Sequence, residues 1–213
     1  MWETVTHLDP KANRLFELVK DVRSLMFGNV VYARRYDHMS GHFLPKKITK
    51  SRDFIIVEGL HALYSKQLLE SLDVRFFIDM DESLKNSLSL KRDVEQRGHT
   101  KEQVLSKIER RSFDSSKYIM PQSKRADVVF KMLLINTDLS DQIEPLFSNV
   151  KLQISIRNGI YYQELVRVLI GVCALQVNID SLDENGGVVL EISGDVASDD
   201  IALAMGILLP NME

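Results

Sequence analysis

Apolar residues recur at helical spacing through Leu15, Leu18, Val19, Val22 and Leu25, and the pattern stops at Gly28. This predicts one amphipathic helix, opened by Asp9 as N-cap with Pro10 at the first helical position. The stretch NVVYA predicts a short strand. The polar run 34–53, broken by Gly41 and Pro45, predicts a long loop. FIIVE (54–58) shows no alternation, the pattern of a strand buried on both faces of a parallel sheet. A helix over about 65–72 leads from it to a second strand of the same character, VRFFIDM, so strand, helix and strand form a crossover unit. Charged helices then fill 82–124, with a break at Arg97-Gly98-His99-Thr100, and ADVVFKMLLI returns as another buried strand.

After a polar stretch at 136–149 that predicts a linker, the pattern changes. VKLQISI alternates, YYQELVRVLIGV has one apolar face, and ALQVNID and VVLEISG flank a turn at 183–187. Ser198 is expected to cap a last helix through Leu208. The expected architecture is therefore α/β: a parallel sheet with helices on both faces over 1–137, and a small α+β module over 149–213.

Charge narrows the class of partner. A net charge of -3 and a pI near 6.0 do not suit a general nucleic-acid or anionic-membrane binder, which needs a basic surface to displace counterions. The longest apolar run, 168–175, falls far short of the roughly 20 residues of a membrane span, and no signal peptide is expected because Glu3, His7 and Asp9 occupy the N-terminus. The single cysteine, Cys173, leaves no internal disulfide and no cysteine-based zinc site, so a reducing cytoplasm is expected.

Chemistry concentrates at two places. Glu58 ends a predicted strand at the carboxyl edge of the sheet, where ligands of open α/β folds collect. Either it orders a magnesium ion or hydrogen-bonds a substrate hydroxyl, or it is a carboxylate favoured by a helix N-terminus. Gly59 and His61 follow it. Lys91, Arg92, Arg97, Arg110, Arg111, Lys124 and Arg125 lie on presumed helices joined at Gly98. This is either a lid that closes arginines over phosphates or a solvated basic face. No Ser/His/Asp order, HExxH or EF-hand spacing is present.

LDPKAN (8–13), YDHMSGHF, FIIVEGLHALY, KRDVEQRGHT and YIMPQSKRADVVF stand in an order and spacing that resembles the phosphoribulokinase/uridine kinase family, most closely its phosphoribulokinase branch, over about residues 6–130. The resemblance implies a P-loop kinase fold with a helical lid. It also implies transfer of the γ-phosphate of ATP, with Mg2+, to a hydroxyl of a pentose phosphate or nucleoside. By the same resemblance Glu58 is the active-site acid and metal ligand, and Arg92 and Arg97 are the lid arginines of the catalytic set. Asp9, Tyr36 and His38 line the substrate side by that resemblance, and His61, three residues after Glu58, is placed there with them by its position. A small-molecule sugar phosphate or nucleoside is the expected partner, with no nucleic acid and no membrane, and a homo-oligomer is the expected assembly.

Two departures bear on this. Leu88 and Ser89 stand where phosphoribulokinases carry WK, so the resemblance does not assign ribulose 5-phosphate as the acceptor. No G-x-x-x-x-G-K-[ST] occurs in the 213 residues. These residues alone are therefore expected to lack the phosphate cradle and to turn over ATP weakly or not at all. Two expectations follow: the substrate-binding and lid portion of a kinase, or a non-catalytic phosphate-ligand-binding or regulatory relative.

Overall fold

The computed structural model describes residues 5–37, 40–135, 150–157, 162–182, 187–193 and 197–208. His38, the expected linker at 136–149 and most of the turn at 183–187 lie outside these residues. The chain forms two compact units, Met1–Asp73 with Phe113–Gln122, and Val74–Ser112 with Ser123–Glu213.

In the first unit, helix α1 (Leu15–Met26) presents Val19 and Val22 to the short helix α2 (Lys66–Leu69), and the three side chains Val19, Val22 and Leu68 form its core with Leu18, Val57 and Leu72 against them. Asp9 does not cap α1. Its carboxylate accepts from the Lys11 backbone N–H at 2.8 Å and caps a separate turn, Pro10–Ala12, because Asn13 and Arg14 are non-helical and interrupt the run. The expected loop at 34–53 is instead a β-hairpin. Strand β1 (Val31–Asp37) pairs antiparallel with β2 (His42–Thr49), with a bulge between Ala33 and Arg35. The polar, exposed β2 shows no apolar alternation, which is why pattern reading missed it.

FIIVE is the main disagreement. Residues 54–58 join neither sheet, and Phe54 and Ile56 are exposed. A strand with two apolar faces is buried only when ladder partners and covering helices are present, and among the described residues it has no ladder partner. The crossover expected from it is therefore not formed.

The second unit holds a five-stranded mixed sheet in the order β3-β4-β5-β7-β6. Strand β3 (Phe76–Met80) runs parallel to β4 (Val128–Leu134), and α3 (Glu82–Lys91) and α4 (Lys101–Asp114) occur in the connection between them. Every other pairing is antiparallel: β5 (Val150–Ile156) on β4, and β7 (Val188–Ser193) between β5 and β6 (Gln176–Leu182). The strands expected to form a separate module over 149–213 thus extend the sheet of β3 and β4. They also share its core: Val128 packs with Ile154, Ile156, Leu190, Ile192, and Leu165 and Leu169 of α5 (Tyr162–Gly171). The final helix α6 begins at Ser198 and runs to Leu208, and its Asp200 carboxylate accepts from the Ala197 N–H at 2.9 Å. Among the described residues no helix is long and apolar enough to cross a membrane.

Candidate functional site

In the first unit, Glu58 ends the 54–58 segment, which belongs to no helix or strand, and is exposed. The next residues, 59–64, are turns, and α2 starts only at Lys66, so no helix N-terminus accounts for this acid. Gly59 has φ +146°, a backbone conformation that side-chain-bearing residues rarely adopt, and it swings the chain into the turn that carries His61.

His61 is 5% exposed, and neither ring nitrogen makes a hydrogen bond of good geometry, although the His7 backbone comes close enough to favour its charged form. Its ring stands edge-on to Tyr64 at 5.7 Å, and Tyr64 stands edge-on to Tyr118 at 6.3 Å. Burial pushes the imidazole below its ordinary pKa, opposed by the backbone of His7 and the carboxylate of Asp9. The Asp9 carboxylate is therefore close enough to act on the His61 charge, although it is also used in the Pro10–Ala12 cap. Thr6 ties this N-terminal segment to the 113–122 segment by donating to Asp114 at 2.7 Å. Three of the sequence motifs, LDP, EGLH and YIMPQ, meet here. Tyr36 lies on β1, half exposed and edge-on to Phe43 at 5.4 Å.

In the second unit, α3 continues into a π-turn, Arg92–Gln96. The wider turn aims Asp93 inward, where its side chain is 5% exposed and accepts from Arg92 Nε at 2.8 Å and from Arg97 Nη1 at 3.1 Å, both on Oδ1. The hydrogen bond from Arg92, helped by the charges of Arg97 and Lys107, holds the Asp93 carboxyl below the usual carboxylate range. Gly98, with φ +68°, ends the π-turn, and the His99 N–H returns to the Asp93 carbonyl at 3.0 Å. Arg111 adds a further guanidinium. Burial lowers its pKa, and although Asp93 favours its charge, Arg92, Arg110 and Arg97 oppose it. One buried carboxylate thus organises a local excess of positive charge on a chain whose net charge is -3. The arginine side chains are 45% and 53% exposed for Arg92 and Arg97, which leaves their outer N–H groups open to an anion.

Sequence reading singled out Arg92, Arg97, Glu58 and His61 but passed over Asp93 and Gln122. For Asp93 a signal existed, because acid and arginine four residues apart on a helix face each other. Gln122 follows Pro121 in a segment with no periodicity to mark it.

Residues 2–138 match the model of the phosphoribulokinase / uridine kinase family. The chain is similar to the chloroplastic phosphoribulokinase of Spinacia oleracea, 36% identical over 131 residues that make up 62% of this chain and 33% of that protein. It is also similar to uridine-cytidine kinase A of Dictyostelium discoideum, 36% identical over 116 residues, 53% of this chain and 23% of that one. Among solved structures, phosphoribulokinase from Rhodobacter spheroides superposes with a TM-score of 0.73 at 23% identity, covering 96% of this chain and 73% of that one, which shows a shared fold. The chain spans about a third or less of the length of these two sequence relatives.

Proposed function

The chain belongs to the phosphoribulokinase / uridine kinase family, and from that premise we propose that it is the substrate-binding and lid portion of an ATP-dependent kinase acting on a hydroxyl of a pentose phosphate or nucleoside. The observation that carries this reading is the Asp93-centred cluster: Arg92 and Arg97 are anchored at one end and open at the other, as residues that close on phosphates need to be. Their work is to hold phosphate oxygens and to exclude water as the lid closes.

On this reading Asp9, Tyr36 and His61 of the first unit are assigned to the acceptor, with His38, which lies outside the described residues, assigned there by the motif alone, and Glu58 is the active-site acid. Bound ATP with Mg2+ supplies the phosphoryl group and neutralises part of its charge. Among the described residues no three metal-ligating side chains converge. A magnesium ion held mainly by phosphates and water needs only one or two carboxylates, and the exposed Glu58 fits one such position. A second reading that the same open arginine pair supports is phosphate-ligand binding without turnover.

The test is phosphoryl transfer to a panel of pentose phosphates and nucleosides, by this chain and by a form extended with a Walker-loop segment. Turnover in the extended form supports the kinase reading. Phosphate-ligand binding with no turnover in either form supports the second, and heat-silent titration with every phosphorylated sugar counts against both.

A further inference from the structure

Gln122 is 3% exposed and its amide bonds three backbone groups at once. Nε2 donates to the Leu60 carbonyl and to the Tyr118 carbonyl, each at 2.8 Å, and Oε1 accepts from the Leu63 N–H at 3.0 Å. Two of those groups bracket His61, and the third belongs to the residue whose ring completes the aromatic wall beyond Tyr64. A buried amide that satisfies both ends of a short turn is a strong constraint, because breaking it leaves several polar groups desolvated and unpaired.

His61 shows the complementary feature. It is buried with both nitrogens lacking a well-formed hydrogen bond, so neither is presented to solvent while the 60–63 turn is held as it is. The groups that face its ring are His7, Asp9 and Tyr64.

We propose that Gln122 is a positioning residue that latches the 60–63 turn over His61, so that release of the latch is what presents the imidazole to the acceptor. This rests on the reading of His61 as an acceptor-side residue. The latch itself can be tested without any ligand.

The variant is Gln122→Met, which keeps the side-chain volume and removes all three hydrogen bonds. Two readouts are followed: amide exchange at Leu63 and the titration of the His61 ring by NMR. The expected result is loss of Leu63 protection by about tenfold or more and a rise of the His61 midpoint toward the free value near 6.5. A merely structural role would lower the melting temperature and leave the His61 midpoint where it is in the wild type, and that result overturns the proposal. Should Gln122→Met fail to fold, the wild-type protein decides. Parallel changes in Leu63 amide exchange and His61 ring Cε1–H exchange with added denaturant support the latch, and Leu63 exchanging freely while the ring stays protected overturns it. Either outcome leaves the kinase reading to its own assay.

Discussion

Arg97 donates through Nη1 to Asp93 Oδ1 across 3.1 Å, one helical turn back along the chain, and does so from a largely solvated position onto a buried acid. The carboxylate is thus the fixed anchor and the guanidinium the movable arm. Asp93→Asn keeps the shape and removes the charge. The expected destabilisation is about 1–3 kcal/mol, toward the low end because both arginines are solvated. The Asp93 pKa is depressed in the folded state, so its contribution is present at neutral pH and lost as pH falls through the folded pKa. Melting curves should therefore show a gap between wild type and variant at pH 7 that closes in acid; a gap of constant size would contradict the assignment.

Arg97→Ala should weaken binding of inorganic tripolyphosphate by about tenfold, the weight of one charge-assisted contact. Arg97→Lys should restore little of it, since the lysine ammonium cannot both hold Asp93 and fork toward an anion. Calorimetric titration at low and high salt measures this, and equal affinities for all three proteins would remove Arg97 from the anion site.

His61→Leu replaces a buried imidazole that makes no hydrogen bond of good geometry by an apolar side chain of similar bulk. Burial lowers the His61 pKa, so the unfolded chain binds more protons below about pH 6.5 and wild-type stability falls as pH drops through that window. The variant should match or exceed wild type by about 1 kcal/mol at pH 7.5, and by more at pH 5.5. Chemical denaturation at both pH values checks the sign.

Leu165 of α5 is fully buried against β4, β5 and β7. Leu165→Ala should cost about 2–5 kcal/mol through lost burial and the cavity left behind. Denaturant unfolding followed by a probe in the second unit reports it.

Ala174 sits at φ +54° after α5, where the Leu175 N–H closes onto the Leu169 carbonyl at 3.0 Å. This is a left-handed helix cap that normally takes glycine. Ala174→Gly should therefore raise stability by about 1 kcal/mol, visible as a higher melting temperature.

The period of α1, the strand at β4, the alternation of β5 and β7 and the face of α5 were legible in the sequence, because each depends on side chains a few residues apart. The expected burial of both faces was not met: β4 buries only Val128, and Ile78 of β3 is exposed. Glu58, Arg92 and Arg97 were singled out because their spacing along the chain resembles a known pattern, and His61 because it follows Glu58 closely. Tertiary structure decided what depends on distant groups. Whether FIIVE becomes a ladder strand turns on a partner strand, and the C-terminal strands joined the β3–β4 sheet because Val128–Leu134 offered an edge of matching register. The burial of Asp93 and the three-way grip of Gln122 arise only where a π-turn and separated backbone segments converge, and no local pattern of hydrophobic and polar residues encodes that convergence.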